Sequence, residues 1–229
     1  CTYTGCTDST AFNYNPLANL NYGCDYGMTY VPDDNFEQKL IDLGIDTDST
    51  LNDSVATANI RLLTSLQVIN ASIADLTGIE DFISLTWLRC HTNQLTSLDV
   101  SQNTALILLD CGPNYLTNLD VSQNTALKYL VCDDNQLTSL DLSQNTALQE
   151  LFCSNNQLTA LDVSTITNLY VLWCYNNNLA TLNLSQHTNL LSLQCYTNLL
   201  TSLDVSGATG LGYLICFDNQ LSSLDVSNN

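Results

Sequence analysis

The chain has 229 residues and sets 23 acidic side chains against Lys39, Arg61, Arg89 and Lys128, a formal net charge of −19. That imbalance excludes nucleic acid and anionic membrane surfaces as partners, and its leucines are interrupted every two or three positions, so membrane insertion is excluded too. No signal peptide opens the sequence, which reads as a mature chain or a piece of a longer one.

Residues 1–26 differ from everything after them. Cys1-Thr-Tyr is echoed by Cys24-Asp-Tyr, and the run from Gly5-Cys6-Thr7-Asp8 through Phe12-Asn13-Tyr14-Asn15-Pro16 to Asn19 resembles a short cysteine module of secreted marine bacterial proteins. The resemblance implies a Cys6–Cys24 disulfide and an oxidising compartment. So small a module cannot build a core, and a covalent staple is expected of it. Cys1 is then the last cysteine of a preceding copy, or a free, intermolecular or lipid-modified thiol. Asp8, Asn13, Asn15 and Asn21 suit turn hydrogen bonds, with a cation as the alternative.

Residues 27–62 read as an end cap. Val31-Pro32-Asp33-Asp34 opens a helix over about 33–43, with acid in its first turn. Phe36, Leu40, Ile41 and Leu43 recur at helical spacing, and Gly44 ends the helix. Its apolar face is expected to cover the open side of the repeats that follow. Asp46-Thr47-Asp48-Ser49-Thr50 has the start of a calcium loop but lacks the glycine and closing glutamate that such a loop needs. Residues 63–84 form a divergent 22-residue unit with Leu66 and Val68 inward and Ile73, Leu76, Ile79 and Phe82 completing it.

From Leu85 onward cysteine recurs every 21 residues, at Cys90, Cys111, Cys132, Cys153, Cys174, Cys195 and Cys216. Each unit reads L-x-x-L-x-C-x-x-N-x-L followed by T-x-L-D-V-S-x-N-T-A, with six full repeats over 85–210 and a partial one over 211–229. This pattern resembles the leucine-rich repeat family, with cysteine where the last strand leucine usually stands. The L-T-x-L-D-V-S tail is similar to that of secreted members from marine Bacteroidetes. The resemblance implies an α/β solenoid: a right-handed coil with a parallel β-sheet on the concave face, an N-terminal helical cap, and little helix on the convex side. It also implies a secreted or cell-surface location on a bacterium.

Alternation within each strand sends Leu88 and Cys90 inward and Trp87, Arg89 and His91 outward. Leu95, Leu98 and Val100 close the far side, Ser101-Gln-Asn-Thr104 is a turn, and Ala105 is expected inside. The invariant column from Asn93 to Asn219 reads as buried amides that satisfy backbone groups of adjacent coils. The column Asp99, Asp120, Asp141, Asp162, Asp204 and Asp225 reads as a solvated face that blocks association. A calcium ladder is its alternative, although a flat row supplies few oxygens per ion. No zinc-type spacing surrounds the repeat cysteines, and Cys90 and His91 point to opposite faces, so the thiols read as small core residues.

Nine of the ten aromatic residues within 85–229 fall on the outward strand face. The candidate ligand-binding residues are therefore Trp87, Arg89, His91, Tyr129, Phe152, Trp173, Tyr175, Tyr196, Tyr213 and Phe217. Aromatic side chains supply large contact area with few torsions to freeze. No nucleophile–base pair, phosphate loop or metal constellation accompanies them, so no catalytic residues, no resident metal and no cofactor are expected, calcium being the one candidate ion. The pattern points to non-catalytic recognition of a protein partner. A surface glycan stacked on the same rings, or a plain structural spacer, are the alternatives. The last repeat stops short of its final turn at Asn229, so the natural chain is expected to continue, or a second copy to cover that edge as a dimer.

Overall fold

The computed structural model describes residues 2–229, so every role considered for Cys1 lies outside the described residues. Near the N-terminus β1 (Thr4–Gly5) and β2 (Leu20–Asn21) pair in parallel, and Cys6 and Cys24 are joined in a disulfide. Asp8 spends its carboxylate on Thr10, the Tyr26 hydroxyl and Arg61. Those bonds, the Thr10 N–H first, hold its pKa well below the usual carboxylate range. Arg61 also lies 3.9 Å above the Tyr26 ring and so ties this module to the cap.

β3 (Met28–Tyr30) and β4 (Ser54–Ala56) form an antiparallel pair that flanks α1 (Asp34–Asp42). Asp33 caps α1 by accepting the N–H groups of Asn35 and Phe36. Its second oxygen accepts from Ala74 and Asp75, which fastens the helix to the first coil. Phe36 and Leu40 are fully buried, and Phe36 sits 6.4 Å from Phe82, ring centre to ring centre. Leu43, expected inward, is exposed: the helix stops at Asp42, Gly44 turns left-handed at φ +69°, and Ile45 packs against the core instead. α2 (Thr57–Ile60) follows and buries Ile60.

Eight three-residue strands then make one parallel sheet. They are β5 (Ser65–Gln67), β6 (Trp87–Arg89), β7 (Leu108–Asp110), β8 (Tyr129–Val131), β9 (Glu150–Phe152), β10 (Val171–Trp173), β11 (Ser192–Gln194) and β12 (Tyr213–Ile215). They neighbour one another in chain order. Leu66 pairs with Leu88 and Leu88 with Leu109, so the register advances by one whole repeat per rung. The result is a parallel β-sheet solenoid of leucine-rich repeat geometry. Helix is scarce on its far side: a single turn of 3-10 helix, Ile79–Asp81, lies in the divergent unit, and the repeats cross back through turns.

One coil shows how the interior is built. Leu148, Leu151, Cys153, Leu158, Leu161 and Val163 are buried together. Each leucine or valine contributes about 1.5–3 kcal/mol on full burial, a gain that exists only while neighbouring coils cover both flanks. Cys90 through Cys195 are fully buried and Cys216 partly so, and burial pushes their thiol pKa values up, so they pack as neutral apolar groups.

Two amide columns satisfy the backbone. The Asn156 carbonyl oxygen accepts the Leu137 N–H at 3.0 Å, while its amide nitrogen donates to Cys132, Cys153 and Ser154. The second column lies in the turn. Asn103, Asn124 and Asn145 are fully buried and each donates to two carbonyls of the preceding coil, while Ala105, expected inside, is partly exposed. The amide takes the inner position because those carbonyls need donors that alanine lacks. His187 occupies this column once, donating from Nε2 to Val163 at 3.1 Å and leaving Nδ1 buried without a bond.

The aspartate column closes turns. Asp99, Asp120, Asp141, Asp162, Asp204 and Asp225 each accept the N–H two residues on, and Asn183 does the same where it stands in. Bonds to those N–H groups and to the serine hydroxyls lower the carboxylate pKa values.

Candidate functional site

The outward side chains of β6–β12 lie in register, so each position of the repeat becomes a column across the sheet. One column runs Trp87, Leu108, Tyr129, Glu150, Val171, Ser192, Tyr213, and the next Arg89, Asp110, Val131, Phe152, Trp173, Gln194, Ile215. Two residues beyond lies a third: His91, Gly112, Asp133, Ser154, Tyr175, Tyr196, Phe217. Successive rungs are about 4.8 Å apart, close to the separation at which aromatic rings stack.

The rings use that spacing. Tyr175 and Tyr196 stack at 4.4 Å with planes 6° apart, and Phe217 continues the stack at 4.7 Å. Phe152 meets Trp173 edge to face at 4.9 Å. The Trp173 indole N–H donates to the Ser192 hydroxyl at 3.3 Å, and the Tyr170 hydroxyl donates to Glu150, which raises the tyrosine pKa.

All the predicted site residues are on this face, but they divide into groups. Phe152 and Trp173 form one pair and Tyr175, Tyr196 and Phe217 one stack, and the two groups share the lining of a hollow. Trp87, 43% exposed, stands at the other end with the Arg89 guanidinium 6.0 Å from its ring centre, and His91 Nε2 lies 3.9 Å from Asp110. Tyr129 lies between them and reaches Gln149 at 3.5 Å, and Tyr213 is exposed on the last strand. Leu108, also on this face, is nearly covered. The remaining repeat aromatic, Tyr115, is exposed elsewhere on the coil.

Three residues outside the candidate ligand-binding set lie near the centre of the face. A hollow of about 280 Å³ is lined by Val131, Asp133, Phe152, Ser154, Trp173 and Tyr175. Ser154 is 1% exposed and its hydroxyl has no hydrogen bond of normal geometry. Asp133 is half-buried, and desolvation, followed by its hydrogen bond and charge repulsion with Asp134, raises its pKa to about 6. Gly112 lies on the far side of Asp133, where a Cβ would meet the Asp110 and Asp133 carboxylates at 3.5 Å, an ordinary contact.

The backbone departs from the repeat at the same place. Asp134, Asn155, Asn176 and Thr197 hold a left-handed conformation and donate their N–H to the carbonyl of the next coil. Pro113 stands at that position in its own coil and has no N–H to give, so the Asp133 carbonyl keeps only the Asn135 amide, at 3.1 Å, a bond that the other coils make in addition to the N–H bond. The sequence carried the signal in Gly112-Pro113 and in the lone serine of a ring-rich column.

Comparison with known proteins agrees with this geometry. A family model described as leucine-rich repeats (two copies) matches residues 125–165 and 146–186. Internalin J of Listeria monocytogenes is 43% identical over 75 residues, which are 33% of this chain and 8% of that protein. The solved functional domain of InlJ from Listeria monocytogenes, described as including a cysteine ladder, is 38% identical with a TM-score of 0.70 over 88% of this chain and 50% of that one. In its leucine-rich repeat fold and its repeated cysteines this chain is similar to the bacterial internalins. Internalin C2 of the same organism is 25% identical with a TM-score of 0.77, over 87% of this chain and 89% of that one. The chain spans half of the InlJ domain and a small part of whole internalin J.

Asp34, Glu37 and Asp53 bring carboxylate oxygens within 4.8 Å of one another, a small acidic cluster that could hold a cation. Glu37 is fully buried there, and its oxygens already accept the N–H groups of Asn52, Asp53 and Ser54. In the loop after α1 the Asp48 carboxylate is used by Thr50 and Asn52. Among the described residues no helix is long and apolar enough to cross a membrane.

Proposed function

We propose that this chain is a non-catalytic recognition module of a secreted or surface-attached bacterial protein, and that its strand face binds a protein partner. The observation that carries the reading is the concentration of rings on one face, the Phe152–Trp173 pair beside the Tyr175–Tyr196–Phe217 stack, with Phe217 58% exposed at its edge. Rigid, partly exposed rings at the centre of a face, with charged groups at its margin, are the arrangement that concentrates binding energy in protein interfaces. The similarity to internalins supports the extracellular location and the non-enzymatic character. A source among marine Bacteroidetes rests on the repeat tail alone, and a dimer through the last coil rests on the partial exposure of Leu214, Cys216 and Leu221.

The test is binding of the immobilised chain to a panel of purified extracellular proteins and to a glycan array. A protein ligand is expected whose affinity falls at least tenfold, about 1.4 kcal/mol, when Trp173 and Tyr175 are replaced together by alanine. Tyr115→Ala, which removes an exposed ring off the face, should leave that affinity unchanged. Loss of binding in the Tyr115 variant but not in the double variant would place recognition elsewhere. Glycan hits without protein hits would transfer the face to carbohydrate.

A further inference from the structure

We infer that the hollow bounded by Asp133, Ser154, Trp173 and Tyr175 is the anchor site for a lysine or arginine side chain of the partner protein. This inference rests on the strand-face reading and names the chemistry that the face selects.

Four features converge on a cationic side chain. The walls are aromatic: Phe152 and Trp173 stand edge to face, and Tyr175 heads the stack that runs to Phe217. Ring faces attract cations, tryptophan most strongly. One side holds the half-buried Asp133 carboxylate with Asp134 beside it, and among the described residues no ion pair reaches either one. A half-buried charge without a counter-ion costs free energy, and a cation entering the hollow would relieve it.

The Ser154 hydroxyl supplies the third feature. It is buried in the wall of the hollow, where its polar neighbour is the Tyr175 hydroxyl and no hydrogen bond of normal geometry holds it, so it is free to turn toward an entering donor. An ammonium has three N–H donors and a guanidinium five, enough to serve Asp133 and Ser154 together. The fourth is size and field. About 280 Å³ falls below the range of roughly 300–1,000 Å³ typical of whole small-molecule sites and has room for one side chain. The net charge of −19 draws a basic partner toward the face.

The chain has two tryptophans, so the Trp173 indole N–H can be followed by heteronuclear NMR of the full chain and told from Trp87 with a Trp87→Phe variant. The probes are N-acetyl-lysine amide, N-acetyl-arginine amide, the uncharged N-acetyl-norleucine amide, and a methyl glycoside. Saturable shifts of the Trp173 signal are expected with the two cations. Norleucine amide should bind about tenfold more weakly, in line with the loss of cation–π attraction and a charged contact. Asp133→Asn, which keeps the shape of the side chain, should weaken the lysine probe by a similar factor, and Ser154→Ala by less.

Equal binding of lysine and norleucine amides, or an unchanged lysine affinity in Asp133→Asn, would overturn the inference. So would the absence of a saturable shift up to the solubility limit of both cations. A methyl glycoside that binds more tightly than either cation would assign the hollow to a sugar. The panel experiment separates the two levels: a protein ligand lost in the Trp173 and Tyr175 double variant but retained in Asp133→Asn would leave the strand face standing and remove only the anchor.

Discussion

Replacing Asn156 by alanine tests the amide column, because its neighbours isolate the contact that matters. Three carbonyls lose a donor, yet each keeps another: Cys132 retains Asn135 at 3.3 Å, Cys153 retains Asn177 at 3.0 Å, and Ser154 retains the Asp134 N–H at 3.1 Å. The Leu137 N–H loses the Asn156 oxygen, its acceptor at 3.0 Å, inside the core. An orphaned buried donor costs about 1–3 kcal/mol, and the thinned carbonyl contacts add about 1, so the loss should be about 2–4 kcal/mol. For a chain of this size that is a fall of about 5–15 °C in Tm. Urea unfolding gives the free energy, and hydrogen exchange gives the site, since the Leu137 amide should lose protection before amides in distant coils. Asn156→Asp sharpens the test: it restores an acceptor for Leu137 but points carboxylate oxygen at three carbonyls, so it should be at least as damaging at pH 7. A loss below about 0.5 kcal/mol in the alanine variant, with Leu137 still protected, would refute the reasoning.

Other consequences can be measured the same way. Burial holds the His187 pKa below its ordinary value, so the unfolded chain takes up a proton from about pH 6.5 downward that the folded chain refuses, and stability falls over that range. His187→Asn should remove this slope and add stability at pH 5.5; identical urea midpoints across pH 5–8 in both proteins would contradict it. Thr197 is a β-branched residue at φ +53°, where Asn155 and Asn176 hold the same position; Thr197→Asn should gain about 0.5–1 kcal/mol in denaturant unfolding. Thiol labelling of the native chain should modify Cys216 well before Cys90–Cys195, and equal rates would show that the coil interior is open. The turn-closing aspartates have lowered pKa values, so their contribution is complete above about pH 4 and is lost as pH falls below it. Asp141→Asn keeps the acceptor, as Asn183 does, and should be neutral at pH 7 but less sensitive to acid.

What the sequence disclosed and what it withheld follow from one physical difference. Positions that recur every 21 residues are constrained by contacts between identical coils, so repetition reveals their role. The leucine interior, the buried thiols and the Asn93-type column were all legible this way. The same logic applied to Asn103, yet its place in a Ser-Gln-Asn-Thr run read as a solvent turn, and turn chemistry concealed a second amide column. Leu43 went astray because periodicity says which face a residue shares but not where the helix ends. The hollow could not be read at all, since it depends on how Asp133, Ser154, Trp173 and Tyr175 are disposed around the small serine side chain. A volume belongs to three dimensions.

The rung spacing that builds the stack also fixes where recognition can occur. With parallel strands in exact register, any two neighbouring aromatics in a column meet at close to the strand separation, as the 4.4 Å and 4.7 Å spacings show. Stacked rings therefore fill one another's gaps and present a smooth wall, which favours broad contact and offers no pocket. A pocket requires an interruption, and the third column supplies one at Ser154, beside Asp133. The proline that deletes a rung bond falls in the same coil as Gly112, so backbone and side chain both depart from the repeat beside the half-buried Asp133 carboxylate. Regular rungs give the face its area, and the interrupted ones give it selectivity. In repeat proteins of this geometry, the places to look for a ligand are the positions where a column of like residues breaks.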